Sequence, residues 1–180
     1  MTTLQAQSAY TREELLQALA QMQGEVVTAF RKLPPEDFTR GSAQDWSPAH
    51  HLHHLTLSNA PVAQALQIPR DRLGRRGVGR ASRSYLDIRD QYRDALAGGA
   101  KASGRYVPDP QGDQAALVEE YAQATAAVRV ALAGWTEADL DRFALTHPVL
   151  GELSVRAMLL FTLYHTRHHL GGVKTRLEQA

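Results

Sequence analysis

Eight histidines and no cysteine frame the chemistry open to this chain of 180 residues. Three of them, His165, His168 and His169, fall together in the stretch Phe161 to Gly172, FTLYHTRHHLGG. An α-helix advances about 100° per residue, so His165 and His169 stand about 40° apart and one turn apart along the axis. Imidazoles at that spacing can converge on one metal ion, as the two His of H-E-x-x-H do. The Glu of that motif is absent here, so the pair carries no built-in general base. Two His make half a site, and a third ligand must come from elsewhere. A His pair on an apolar face has a second reading, as hydrogen-bonded core histidines.

A second cluster, His50, His51, His53 and His54, follows Trp46-Ser47-Pro48. Ser at N-cap and Pro at N1 mark a helix start. Around that helix Leu55, Val62 and Leu66 form an apolar stripe, flanked by His54 and His51. Either of these two can reach a neighbouring helix, whereas His50 and His53 point toward solvent. Without thiolates, a metal must be held by His, Asp or Glu. Three neutral imidazoles with an open position describe a catalytic centre rather than a closed structural one, and they suit Zn, Ni, Fe or Cu. Glu152 and Asp45 lie near the relevant helix starts, but spacing places neither in the site, so no acid or base is named.

These residues need helices to hold them. Thr11 with Glu14 forms a capping box, and apolar residues from Leu15 to Phe30 follow at spacings of three and four, predicting a helix over 11–32 that Pro34-Pro35 stops. Pro61 is expected to kink or relax the second helix. Residues 68–83, IPRDRLGRRGVGRASR, carry six Arg among Gly and Pro breaks and predict a flexible loop, followed by a short helix over about 82–96. The Arg residues read as a solvated loop or as an anion clamp at the mouth of a pocket. Gly77-Val78-Gly79 has no preceding strand and is not a nucleotide motif. Residues 97–112 form a second long Gly/Pro-rich loop, of the kind that is often functional. Asp113 caps a helix ending at Gly134. His147 to Glu152 reads as a turn or small β-element. Ser154 then caps the last helix, to about 178, whose inward stripe is Val155, Met158, Leu159, Thr162, Val173 and Leu177. His169 lies in that stripe, His165 at its edge and His168 on the other side. Gly171-Gly172 is expensive in mid-helix, about 1 kcal/mol per Gly, and would fit close packing beside the His pair. Four main helices with long crossovers predict an all-α four-helix bundle, a fold that builds metal sites from inward side chains.

The length predicts one domain over 1–180, and 43% hydrophobic with 22% charged residues is the composition of a soluble globular protein. A net charge of +1 gives no push toward nucleic acid or anionic membranes, and six Arg without interleaved aromatics are a weak nucleic-acid footprint. No apolar run approaches the ~18 residues of a membrane span. The N-terminus lacks the pattern of a signal peptide, so the expected address is cytoplasmic.

The stretch Trp46 to Leu55, W-S-P-x-x-x-L-x-H-L, resembles the second-helix signature of the DinB/YfiT-like superfamily. H-P-x-x-G at His147 to Gly151, followed by Y-H-x-x-H-H at Tyr164 to His169, resembles the C-terminal signature of its YfiT branch. The two motifs in this order cover most of the chain. The resemblance implies a four-helix bundle of the DinB/YfiT-like type, often dimeric, with a three-His metal site. By position it implies His54, His165 and His169 as ligands and demotes His50, His53 and His168. His147 falls at the mouth of the site, as a residue behind the ligands or as a turn residue. Members resemble metal-dependent hydrolases, or transferases of low-molecular-weight thiols such as bacillithiol, mycothiol or glutathione. The chain departs from the commoner pattern at Leu170-Gly171-Gly172 and in its Arg-rich 70–83 loop.

The first functional expectation is a thiol-dependent S-transferase acting on small electrophiles in stress or detoxification, with one divalent ion, Zn or Ni, activating a low-molecular-weight thiol as cosubstrate. The second is a hydrolase using metal-bound hydroxide. The third is a non-catalytic, stress-induced metal-binding bundle. Expected partners are a small-molecule substrate and a second copy in a homodimer, with no nucleic acid and no membrane.

Overall fold

Side-chain caps set where the helices begin. The computed structural model describes residues 10–42, 45–77 and 82–178; Val78, Gly79 and Arg80 of the Arg-rich stretch and the N-terminal residues 1–9 lie outside them. Helix α1 (Arg12–Arg31) opens on the Thr11/Glu14 capping box, and its Leu15, Leu19, Met22, Val26 and Phe30 are buried. A short α2 (Pro35–Thr39) follows. Ser47 accepts from the His50 backbone N–H at the start of α3 (Pro48–Ala65), which passes through Pro61 without ending there. A two-residue strand β1 (Gly74–Arg75) precedes α4 (Tyr85–Ala97), whose own capping box joins Ser84 and Asp87. Asp113 caps α5 (Gln114–Ala133). After a short α6 (Asp139–Arg142), strands β2 (Phe143–His147) and β3 (Gly151–Ser154) form a hairpin. Helix α7 (Val155–Glu178) begins where the Ser154 hydroxyl accepts from the Ala157 N–H at 3.0 Å.

Helices α1, α3, α5 and α7 form the bundle, with α1 and α3 each packed between α5 and α7. Tertiary hydrogen bonds fix the directions. Gln114 at the start of α5 reaches the carbonyls of Phe30 and Leu33 at the end of α1, while Arg12 reaches Ala133, so α1 and α5 run antiparallel. Asn59–Thr125 at 3.0 Å and the bond from Trp135 Nε1 to the Leu66 carbonyl align α3 and α5 in parallel. Arg176 donates to the Trp46 carbonyl, so α7 runs back along α3. Parallel α3 and α5 require a long return between them. Residues 66–113 supply it, and α4 lies along α7 on the way. This is the all-α bundle with long crossovers that the sequence predicts, with a small sheet added.

That sheet is antiparallel in the order β1-β2-β3, with Gly74 opposite Ala144 and Leu145 opposite Leu153. It covers the side of α7 where one would expect solvent. Every residue from Val155 to Thr166 is buried, so the predicted single inward stripe widens to the whole first half of the helix. A helix apolar all round is a buried one. Arg156 is the charged exception. It forms a two-point pair with Asp141, an ion pair with Glu137 at 2.7 Å and a hydrogen bond to the Tyr10 carbonyl. These contacts tie the start of α1, α6 and α7 together.

Candidate metal centre

Helix α3 delivers His54 and α7 delivers His165 and His169 to one buried point. The Nε2 atoms of His54 and His169 lie 3.1 and 3.0 Å from Nε2 of His165. One ligand atom from each ring falls within 4.8 Å of the others, a group that could hold a metal ion. Metal–nitrogen bonds of about 2.05 Å at tetrahedral angles put ligand nitrogens about 3.3 Å apart, close to the observed spacing.

The far side of each ring shows which nitrogen is free. His54 Nδ1 lies 2.7 Å from the carbonyl oxygen of Tyr106. A carbonyl only accepts, so Nδ1 carries the proton. Burial lowers the His54 pKa against the opposing effect of the Tyr106 bond, so the ring is neutral and Nε2 is a bare lone pair aimed into the cluster. His169 Nδ1 meets His51 Nδ1 at 2.7 Å. Burial, with the neighbouring rings, holds His165 and His169 well below 6.5, and burial followed by His54 brings His51 to about 4. His165 Nε2 faces two nitrogens, and a single proton can satisfy at most one of those contacts. Three neutral imidazoles with converging lone pairs are a donor set that fits a divalent transition ion. Each ring is held by a partner behind it or by aromatic neighbours: Trp46 stacks on His169 at 6.0 Å and Phe161 on His165 at 5.0 Å.

The sequence left His51 and His54 open as the helix α3 contribution. Here His54 enters the cluster and His51 stands behind His169. His50 and His53, expected in solvent, are instead half-buried. His50 Nδ1 is 2.7 Å from Ser47 Oγ, and His53 Nδ1 accepts from the Asp109 N–H at 3.1 Å. His168 is exposed, with its ring edge-on to Tyr92. His147 stays outside the cluster. Its ring packs edge-on against Phe161 at 4.1 Å, and Phe161 in turn stacks on His165. The Gly171-Gly172 expectation fails: a Cβ at either position meets nothing within 4 Å, and both face outward. They permit no close packing beside the His pair.

His54 and His165 form part of the wall of a cavity of about 370 Å³. Val62, Leu73, Leu96, Leu145, Met158 and Phe161 make much of its lining apolar. No Asp or Glu among the described residues lines it. The loop after α4 contributes Ala100 to Ser103 and Tyr106, so the 97–112 segment closes one side. Tyr106 acts through its backbone, which no sequence pattern announces. The Arg-rich stretch divides by role. Arg70 packs over Trp135 and donates to the Gly134 carbonyl, Arg76 donates to the Asp141 carbonyl and Arg83 to the Leu150 carbonyl. Arg72 lines the cavity, exposed, and Lys101 joins it from the opposite loop.

No helix among the described residues is long and apolar enough to cross a membrane. The family model described as DinB superfamily matches residues 18–173, a span that includes every element from α1 into α7. No curated protein and no solved structure matches the chain.

Proposed function

The chain belongs to the DinB superfamily, and from that premise we propose that it is a metal-dependent enzyme whose ion is held by His54, His165 and His169. One observation carries this reading: the Tyr106 carbonyl fixes the proton of His54 on Nδ1, so a bare, buried Nε2 faces the Nε2 atoms of two further neutral rings. A buried lone pair without a proton or cation to meet is costly. Zn or Ni suits this all-nitrogen donor set. A bound ion there supplies Lewis acidity, lowering the pKa of a thiol or water that joins it toward neutrality.

The reaction proposed is S-transfer from a low-molecular-weight thiol to a small electrophile. The chain has no cysteine, so any sulfur nucleophile is a cosubstrate. The thiol sulfur bonds to the electrophilic carbon, the leaving group departs with its electron pair, and the thiol proton passes to water. The chain's own contribution is placement. His54 and His165 open onto an apolar cavity that excludes water around the electrophile, and Arg72 and Lys101 stand at its rim.

The test uses full-length protein loaded with zinc or nickel and 1-chloro-2,4-dinitrobenzene with glutathione, bacillithiol or mycothiol. Metal-dependent conjugate formation, abolished by His54→Ala, is the expected result. Metal-dependent hydrolysis of p-nitrophenyl acetate without any thiol, and no conjugation, would assign the site to a hydrolase instead. Neither activity in metal-loaded protein would leave a non-catalytic metal-binding bundle.

A further inference from the structure

His147 ends β2 and turns its ring back on its own hairpin. Its Nδ1 accepts from the backbone N–H groups of Val149 and Leu150 at 3.1 and 3.0 Å. An Nδ1 that accepts carries no proton. Burial pulls the ring's pKa down to about 4, so at neutral pH it holds one proton, and that proton is on Nε2. Nε2 has no hydrogen-bond partner among the described residues, yet the ring is buried and lines the cavity. The hairpin thus builds a fixed N–H donor on the cavity wall. Ser58 and Thr162, which also line it, direct their hydroxyl protons to the carbonyls of His54 and Met158, and the Asn59 amide nitrogen is turned to Thr125.

We propose that His147 donates a hydrogen bond to the substrate through Nε2, and that the cavity takes carbonyl or carboxylate compounds with an apolar body. The assignment takes the cavity of the proposed enzyme as its substrate site and rests on that reading. An apolar wall with an oriented donor binds a molecule whose oxygen meets that donor while its carbon body displaces water. His147 is not among the three rings whose nitrogens converge, so it is a substrate contact rather than a fourth ligand. An exposed Arg72 and Lys101 at the rim add attraction for the anionic members of the class.

Two substitutions separate the donor from the turn. In His147→Asn the side-chain oxygen can replace Nδ1 as the hairpin's acceptor, but Nε2–H is lost. In His147→Gln the amide N–H can replace Nε2–H, but the Nδ1 acceptor is lost. Octanoate, octanamide and octylamine are titrated calorimetrically into zinc-loaded and EDTA-stripped full-length protein, with zinc content measured in each sample. Octanoate and octanamide are expected to bind, and octylamine, which offers no oxygen, to bind more weakly. His147→Asn is expected to weaken both oxygen ligands about tenfold or more, and His147→Gln to stay within about threefold of wild type. Equal affinity in His147→Asn and wild type, equal losses in both variants, or no binding of either oxygen ligand to wild type would overturn the assignment. Zinc content keeps the two readings apart. Protein that takes up no zinc but shows the His147 pattern contradicts the metal reading alone. Protein that binds zinc, and octanoate only with zinc, with His147→Asn unaffected, contradicts this one alone.

Discussion

Acidification of the metal-free protein provides a quantitative test of how the cluster is buried. Six rings, His51, His54, His147, His165, His168 and His169, have pKa values lowered from 6.5, chiefly by burial. In the unfolded chain each returns to about 6.5, so below that pH the unfolded state binds more protons than the folded one. Their contribution to stability is therefore fully present above about pH 6.5 and drains away as pH falls toward about 4. At about pH 5.5, one unit below the unfolded value, each ring that stays neutral costs about 1.4 kcal/mol. His51 and His147, at about 4, together cost about 3 kcal/mol, and His165 and His169, held well below 6.5 by burial, add to the loss in the same direction. A domain of this size has about 5–15 kcal/mol in total, so stripped protein should be markedly less stable near pH 5.5 than at pH 7.5. Asp141 is pushed up by burial but held lower overall by Arg156 and Ser82, so its stabilisation is lost only below 3.8. Urea unfolding followed by circular dichroism in EDTA, at pH 7.5, 6.5 and 5.5, measures the loss. A fall of less than about 1.4 kcal/mol between pH 7.5 and 5.5, the value for a single ring, would refute the picture of several neutral, dehydrated imidazoles.

Three further outcomes follow from particular contacts. Gly171→Ala and Gly172→Ala should each stabilise α7 by about 1 kcal/mol in urea melts, since the added methyl meets nothing. Arg156→Met should cost about 3 kcal/mol, because it strips Asp141, Glu137 and the Tyr10 carbonyl of their shared partner; the same melts would show it. His51→Ala removes the group behind His169 and should weaken zinc affinity about 10- to 100-fold in chelator competition, whereas His53→Ala, whose ring contacts the Asp109 backbone, should leave it unchanged.

Much of the bundle is written in local chemistry. Thr11, Ser47, Asp113 and Ser154 announce the helix starts because a capping side chain meets a backbone N–H only two or three residues away. Periodicity exposed α1 for the same reason. The sheet was harder to read. β1 is two exposed residues inside an Arg/Gly-rich stretch, too short to show alternation, and it exists only because β2 offers an edge. The whole-face burial of α7 likewise depends on that hairpin and α4, neither adjacent to it in pattern. At the site, helical angles alone left His51 and His54 equivalent. What separates them is the Tyr106 carbonyl and the reach to His165, both tertiary. Gly171-Gly172 misled because a costly residue invites a packing reason, and here the space around it is open. The division of the Arg residues between carbonyl contacts and the cavity rim also depends on distant backbone atoms that carry no signature in the sequence.

The central claim is that His54, His165 and His169 together hold one ion. Elemental analysis of tag-free protein reconstituted with zinc or nickel, wild type beside His165→Ala, addresses it most directly. Half-buried His50 and His53 and exposed His168 can bind stray metal, so the wild-type value must be read against the variant. About one ion per chain in wild type, lost in His165→Ala while the fold is kept, is the predicted result. No ion in wild type, or the same ion content in the variant, would contradict it and leave the three rings as a buried polar cluster of the core.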